Sequence, residues 1–323
     1  MKSIKDIQSS VETELSTFQT RMKDSLRTDA PLLDKIIRYI LKRKGKRVRP
    51  LLVFLSAKAF GEVNDATYNA ATLIEILHTA TLVHDDVVDE AEKRRGFFSI
   101  NALWKSKVAV LVGDFLLSKG LIMALENKEY TSLQLLSEAV RDMSEGELMQ
   151  IKKSRTLDIT EEEYFEIIRR KTASLIGVAT AAGAASTTDD QSSVDAMKRF
   201  GHGIGMAFQI KDDLFDYGQD NVGKPLGLDV KQKKMTLPLI YTISQVDRKV
   251  KRKLIRIVKS DNPSKEQLRH LSHVVSDSGG LDYARKKMLE YRDKALEEIS
   301  IIPESRSKVD LLELSDYIVE RNI

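Results

Sequence analysis

The sequence predicts an all-α protein, and three observations carry that expectation. Only six prolines occur, and none lies between Pro50 and Pro225, so a long central stretch lacks the residue that most often stops a helix. Apolar residues recur through it at three- and four-residue spacing, the period of one helix face. No segment shows the alternation of a half-buried strand, and there is no fixed-period repeat or low-complexity linker. One helical domain spanning residues 1–323 is the expected organisation.

Element by element, Ile4, Ile7, Val11, Leu15 and Phe18 make a first apolar stripe. After a turn at Gly61-Glu62-Val63-Asn64-Asp65, a helix beginning near Ala70 carries Leu73, Ile76, Leu77, Ala80 and Val83 on one side. Residues 108–125 are apolar nearly all round, which predicts a buried helix. Residues 173–185 are small and read as a tightly packed inner helix. They are also the closest candidate for a membrane span, and no uninterrupted apolar run reaches the ~18 residues that a span needs. Further loops are expected at 126–130, 187–193, 218–227 and 260–264.

Composition narrows the chemistry. Hydrophobic residues make up 42% and charged residues 31%, ordinary for a globular protein. There is no cysteine and there are five histidines, so thiolate chemistry is excluded and any metal would be held by carboxylates, which suit magnesium or a similar hard cation. The net charge of +4 is too small to indicate nucleic acid. Two basic runs stand out, Lys42-Arg43-Lys44-Gly45-Lys46-Arg47-Val48-Arg49 and residues 248–256, but no aromatics are interleaved to stack bases. The first residues, MKSIKDIQSS, lack the apolar stretch of a signal peptide, which points to the cytoplasm.

Two acidic clusters are the candidate reactive features. Asp85-Asp86-Val87-Val88-Asp89 and Asp212-Asp213-Leu214-Phe215-Asp216 share one spacing, and each ends an apolar segment. On a helix the first and last carboxylates of such a cluster lie one turn apart on one face. Like charges so placed repel unless a cation lies between them. Facing each other across a cavity, two clusters could hold magnesium ions that bridge a diphosphate. Arg94, Arg95, Lys46, Arg47, Arg49, Lys171, Lys224 and Lys234 could supply fixed cations for such a ligand. A solvent-facing acidic helix end is the plain alternative for one cluster; two copies are harder to explain so.

These segments resemble the trans-isoprenyl diphosphate synthase (polyprenyl synthetase) family. The resemblance rests on Gly45-Lys46-Arg47-Val48-Arg49-Pro50, His84-Asp85-Asp86-Val87-Val88-Asp89 with Arg94-Arg95-Gly96, Val112-Gly113-Asp114-Phe115 and Lys171-Thr172-Ala173. It continues through Gln209-Ile210-Lys211-Asp212-Asp213-Leu214-Phe215-Asp216, Gly223-Lys224-Pro225-Leu226-Gly227-Leu228-Asp229 and Thr236-Leu237-Pro238. One departure is visible: Gln232-Lys233-Lys234 stands where members commonly carry Glu-Gly-Lys.

The resemblance implies an all-α fold around a central apolar cavity, a homodimer, and condensation of an allylic diphosphate with isopentenyl diphosphate. It implies that Asp85, Asp86, Asp89 and Asp212, helped by Asp213 and Asp216, hold magnesium on the allylic diphosphate. Arg94, Lys171 and Lys234 would neutralise that group, with Thr172, Gln209 and Lys224 at the site, while Lys46, Arg49, His78 and Arg95 would hold isopentenyl diphosphate. Family members stop the chain early with an aromatic one turn before the first cluster. Ala80 and Thr81 occupy that turn here, so a medium or long product, such as a quinone side chain, is expected. A shorter-product farnesyl or geranylgeranyl synthase, and a noncatalytic helical subunit of a heteromeric synthase, remain open alternatives; a terpene cyclase fits the repeated cluster poorly.

Overall fold

The computed structural model describes residues 3–42, 45–94, 96–217 and 227–320, with Arg94 described in its backbone alone. The first half is built from α1 (Ile4–Gln8), α2 (Glu12–Ser25), α3 (Pro31–Leu41), α4 (Val48–Lys58), α5 (Asp65–Val88), α6 (Ile100–Glu126), α7 (Tyr130–Thr156) and α8 (Glu161–Ile168). The second half comprises α9 (Ser174–Ala185), α10 (Gln191–Phe215), α11 (Leu228–Lys231), α12 (Leu237–Gln245), α13 (Arg248–Lys259), α14 (Lys265–Asp277), α15 (Gly280–Glu298) and α16 (Arg306–Glu320). The all-α expectation holds. The single departure among the described residues is a short antiparallel ladder pairing β1 (Lys93–Arg94) with β2 (Phe97–Phe98). Gly96 turns it at a φ of 82°, a left-handed conformation that glycine adopts without a Cβ clash.

Local sequence sets the ends of these helices. α5 starts five residues before the expected Ala70 because Asn64 Oδ1 accepts from the Thr67 N–H while the Thr67 hydroxyl oxygen accepts from the Asn64 N–H. α10 begins inside the expected 187–193 loop because Asp190 accepts from the Ser192 and Ser193 N–H groups. The expected 218–227 loop lies, except for Gly227, outside the described residues.

α9 is the inner helix that its small residues predict: Ser174 through Ala184 are all buried. A methyl group on Gly183 would lie 2.4 Å from the Val53 carbonyl oxygen of α4, and one on Gly177 would lie 2.0 Å from His202 Cδ2 of α10. Absent side chains therefore let α4 and α10 approach α9 on either side. The first-stripe residues Ile7, Val11, Leu15 and Phe18 join the same core, which extends through α4, α5, α6 and α16. A second apolar cluster lies among α8, the end of α10 and α12–α15.

One expectation is corrected. Residues 108–125 belong to α6, which bends at Lys105 (φ 71°), and that helix is not buried all round. Ala109, Val112, Leu116, Gly120 and Ala124 face the core, whereas Leu111 is 67% exposed and Leu125 55%. Val110, Leu121 and Ile122 share that exposed side. By length and composition α6 could also cross a membrane, so it, rather than 173–185, is the nearest candidate span.

Candidate active site

Both acidic clusters sit at helix ends. α5 carries Asp85 and Asp86 in its last turn and stops at Asp89, whose N–H donates to the Asp85 carbonyl at 2.8 Å. Asp86 is buried, Asp85 half-buried and Asp89 exposed. α10 ends with Asp212 and Asp213 in its last turn and Asp216 as its cap.

A cavity of about 440 Å³ is lined by Lys171, Thr172, Gln209, Asp212, Asp213 and Lys234, with Asp229 and Tyr164 beside them. A neighbouring cavity of about 640 Å³ is lined by Asp89, Glu147, Arg155, Lys233, Lys234 and Lys259. Gln150, Ser154 and Lys234 line both, so the two are lobes of one cleft. Carboxylates from both clusters thus open onto a shared space that several lysines, Lys171 and Lys234 among them, also line.

The second cluster divides its carboxylates. Asp213 is buried, accepting from the Tyr164 hydroxyl at 2.7 Å and from Gln209 Nε2 at 2.9 Å. The Thr172 hydroxyl in turn donates to Gln209 Oε1 at 2.8 Å. Burial and then the Asp229 charge push the Asp213 carboxyl up to about 8, against the opposing pull of its two hydrogen bonds. Asp216 is pushed up to about 6, again by burial and then by Asp229. One Asp216 oxygen accepts from the Asp229 N–H at 3.2 Å, tying α11 to the end of α10, while its other oxygen is buried without a hydrogen-bond partner.

Lys171 and Thr172 lie in a π-helical turn, Arg169–Ala173, between α8 and α9. Such wide turns interrupt helices frequently at functional sites. Lys171 Nζ pairs with Glu147 and donates to Gln150 Oε1 at 3.2 Å. Lys234 Nζ instead meets an uncharged partner, donating to Gln232 Oε1 at 2.6 Å. Next to it Lys233 adopts a φ of 57° and reaches Asp261 at 2.6 Å.

Other expected site residues stand apart from the cleft lining. His78 is buried in α5, and Arg49 is half-buried in the first turn of α4. Lys46 is exposed, and its Nζ donates to the Tyr317 hydroxyl at 3.3 Å. Arg47, the next residue, has its pKa lowered by burial, a loss that the Glu75 charge opposes. Ala80 is fully buried in the core, and Thr81 is half-buried with its hydroxyl donating to the His78 carbonyl. The Arg94 side chain, Arg95 and Lys224 fall outside the described residues.

Sequence reasoning assigned no role to Tyr164, Glu147, Gln150 or Asp229. Glu147 had one signal, the isolated mid-helix Gly146 beside it. A methyl group on Gly146 would lie 2.9 Å from Arg170 Cβ and 3.0 Å from the Lys171 nitrogen, so this glycine admits the π turn. Gly113 of the Val112-Gly113-Asp114 segment acts likewise, since a methyl there would lie 2.0 Å from His84 Nε2.

Among the described residues, no three acidic or histidine side chains gather closely enough to ligate one ion by themselves. The donors nevertheless fit a hard cation that completes its shell with water and phosphate oxygens. They are carboxylates, their charges oppose one another, and the unpartnered Asp216 oxygen leaves coordination capacity beside them.

The chain is similar over most of its length to known proteins. The polyprenyl synthetase family profile matches residues 30–275. An all-trans-nonaprenyl-diphosphate synthase (geranyl-diphosphate specific) of Rhodobacter capsulatus is 34% identical over 98% of this chain and 97% of its own. An octaprenyl diphosphate synthase of Haemophilus influenzae is 32% identical over 100% and 98%. A polyprenyl synthase of Caulobacter crescentus, solved in complex with calcium and isoprenyl diphosphate, superposes with a TM-score of 0.91 at 31% identity, covering 99% of this chain and 98% of that one. This chain belongs to the polyprenyl synthetase family of prenyltransferases.

Proposed function

We propose that residues 1–323 act as one catalytic unit that condenses isopentenyl diphosphate, head to tail, onto an allylic diphosphate in the cytoplasm. The observation that carries this reading is the single cleft that gathers Asp89, Asp212 and Asp213 with Lys171 and Lys234. Asp85, Asp86, Asp89 and Asp212 hold magnesium, with Asp213 and Asp216 in support. When bound, magnesium offsets the charge of the departing diphosphate. Calcium and isoprenyl diphosphate in the C. crescentus relative support that assignment.

Lys171, Lys234 and Arg94 neutralise the allylic diphosphate as its carbon–oxygen bond breaks. Thr172 orients Gln209, and Tyr164 with Gln209 fixes Asp213. Lys46, Arg49, His78 and Arg95 hold isopentenyl diphosphate, and Lys224 contributes to substrate binding. The alkene attacks the allylic cation, a carbon–carbon bond forms, and the proton leaves to the departing diphosphate. No side-chain nucleophile is needed.

The product is of medium or long chain. Thr81 and Ala80 present no aromatic barrier, and the R. capsulatus and H. influenzae relatives are named for nonaprenyl and octaprenyl products. Ala80 is packed into the core, so Thr81 is the better placed of the two to meet a growing chain. The enzyme works as a homodimer, joined through the exposed apolar side of α6.

The test is the labelled product profile from isopentenyl diphosphate with farnesyl diphosphate as primer, with and without magnesium. A magnesium-dependent ladder ending in a long polyprenyl product is expected. Product one unit beyond the primer would refute the long chain, and no product would refute the catalytic reading.

A further inference from the structure

α13 carries a charge pattern that the proposed reaction leaves unused. Its sequence, RKVKRKLIRIVK, contains seven cations and no acid. Arg248, Lys249, Lys251, Arg252, Lys253, Arg256 and Lys259 are all exposed, while Leu254, Ile257 and Val258 are buried and seat the helix on the second apolar cluster. At 100° per residue, Arg248, Lys249, Arg252, Arg256 and Lys259 fall on one outward stripe about 18 Å long.

Such a stripe works against the stability of its own helix. Arg248 and Arg252, then Arg252 and Arg256, are like charges one turn apart, and cations in a first turn oppose the helix dipole. Asp247 offsets only the latter, accepting from the Lys249 and Val250 N–H groups at 2.7 and 2.9 Å. Among the described residues none of the seven cations is in an ion pair, whereas nearby Lys233 pairs with Asp261. An ordinary solvated face mixes both signs.

The stripe also ends at the cleft. Lys259 lines the lobe that contains Asp89, Lys233 and Lys234, so the basic face flanks its mouth. We propose that this face docks the protein on an anionic lipid surface, with the cleft mouth beside the bilayer. Attachment is electrostatic, because the stripe exposes no large apolar side chain for insertion. Lipid is favoured over nucleic acid because no aromatic residue interrupts the stripe, and because an apolar chain leaving the cleft needs an apolar phase. That second argument rests on the reaction proposed above.

The experiment is vesicle flotation of the full-length protein without substrates, so its result is independent of activity. Phosphatidylcholine vesicles are compared with vesicles containing phosphatidylglycerol, at low and high salt. Binding to the anionic vesicles alone, released by salt, is expected. The triple variant K249Q/R252Q/R256Q should bind ~100-fold more weakly while melting no lower than the parent and keeping its activity in detergent. The triple variant K5Q/K23Q/K35Q, which removes equal charge from exposed positions elsewhere, should bind as the parent does. Three results would each overturn the proposal: no anionic binding by the parent, equal loss in both triple variants, or tighter α13-dependent binding to a single-stranded oligonucleotide than to vesicles. If the first triple variant fails to fold, R252Q/R256Q is measured against the same criteria.

Discussion

Lys233 holds a left-handed backbone, φ 57°, a conformation that favours glycine. An L-residue there bears about 1–2 kcal/mol of strain. The solvent-screened pair with Asp261 returns little of it. K233A removes the pair and keeps the strain, whereas K233G removes both. K233G should therefore be more stable than K233A by about 1 kcal/mol, read from urea midpoints at constant slope; equal midpoints would show that the backbone is unstrained. Lys234 next door donates to neutral Gln232, so the departure from Glu-Gly-Lys also spares that lysine a neighbouring counter-charge. Both effects were invisible as a pattern, because a substitution names a residue without its φ.

At the scale of elements, the close approach of α9 and α10 depends on absent methyl groups. Gly177→Ala would set a carbon 2.0 Å from His202 Cδ2 and should destabilise by about 1–3 kcal/mol through overpacking, visible as a lower melting temperature. His202 itself is held down to about 4, first by burial and then by Lys198 and Arg169. Because the folded value is depressed, the unfolded chain binds the extra proton first. The neutral ring's contribution is complete above about pH 6.5 and is lost as pH falls from there towards 4, up to about 3 kcal/mol. A His202→Gln variant should flatten the stability–pH curve in that window and leave it unchanged above pH 7. The small-residue character of 173–185 announced this packing in the sequence. What it left unread were contacts joining distant elements, such as Tyr164 of α8 with Asp213 of α10, which no local spacing encodes.

For the whole molecule, the exposed apolar side of α6 is the surface whose covering matters most. Leu111 and Leu125 lie on it at 67% and 55% exposure, and large apolar patches of this kind mark protein contacts. In the proposed dimer, L111E/L125E should yield a monomer by sedimentation while the parent sediments as a dimer; an unchanged mass would move the interface elsewhere. This face explains why residues 108–125 read as buried. Hydropathy registers that a helix avoids water without saying whether its own chain or another covers it. The acidic clusters were legible because each is held within one helix end, so spacing and geometry coincide. The cleft that unites them was not, since it depends on how α5, α7 and α10 converge.

The π turn at Arg169–Ala173 amounts to one residue more than an ordinary helical turn would use. It acts as a phase adjuster between α8 and α9. Deleting one residue there would let a continuous α-helix form and rotate everything before it by about 100° relative to α9. Tyr164 would swing off Asp213 while α9 stayed locked by its glycines. In this chain a frame of mere insertions and deletions, rather than side-chain chemistry, therefore sets whether the two halves of the cleft stay in step.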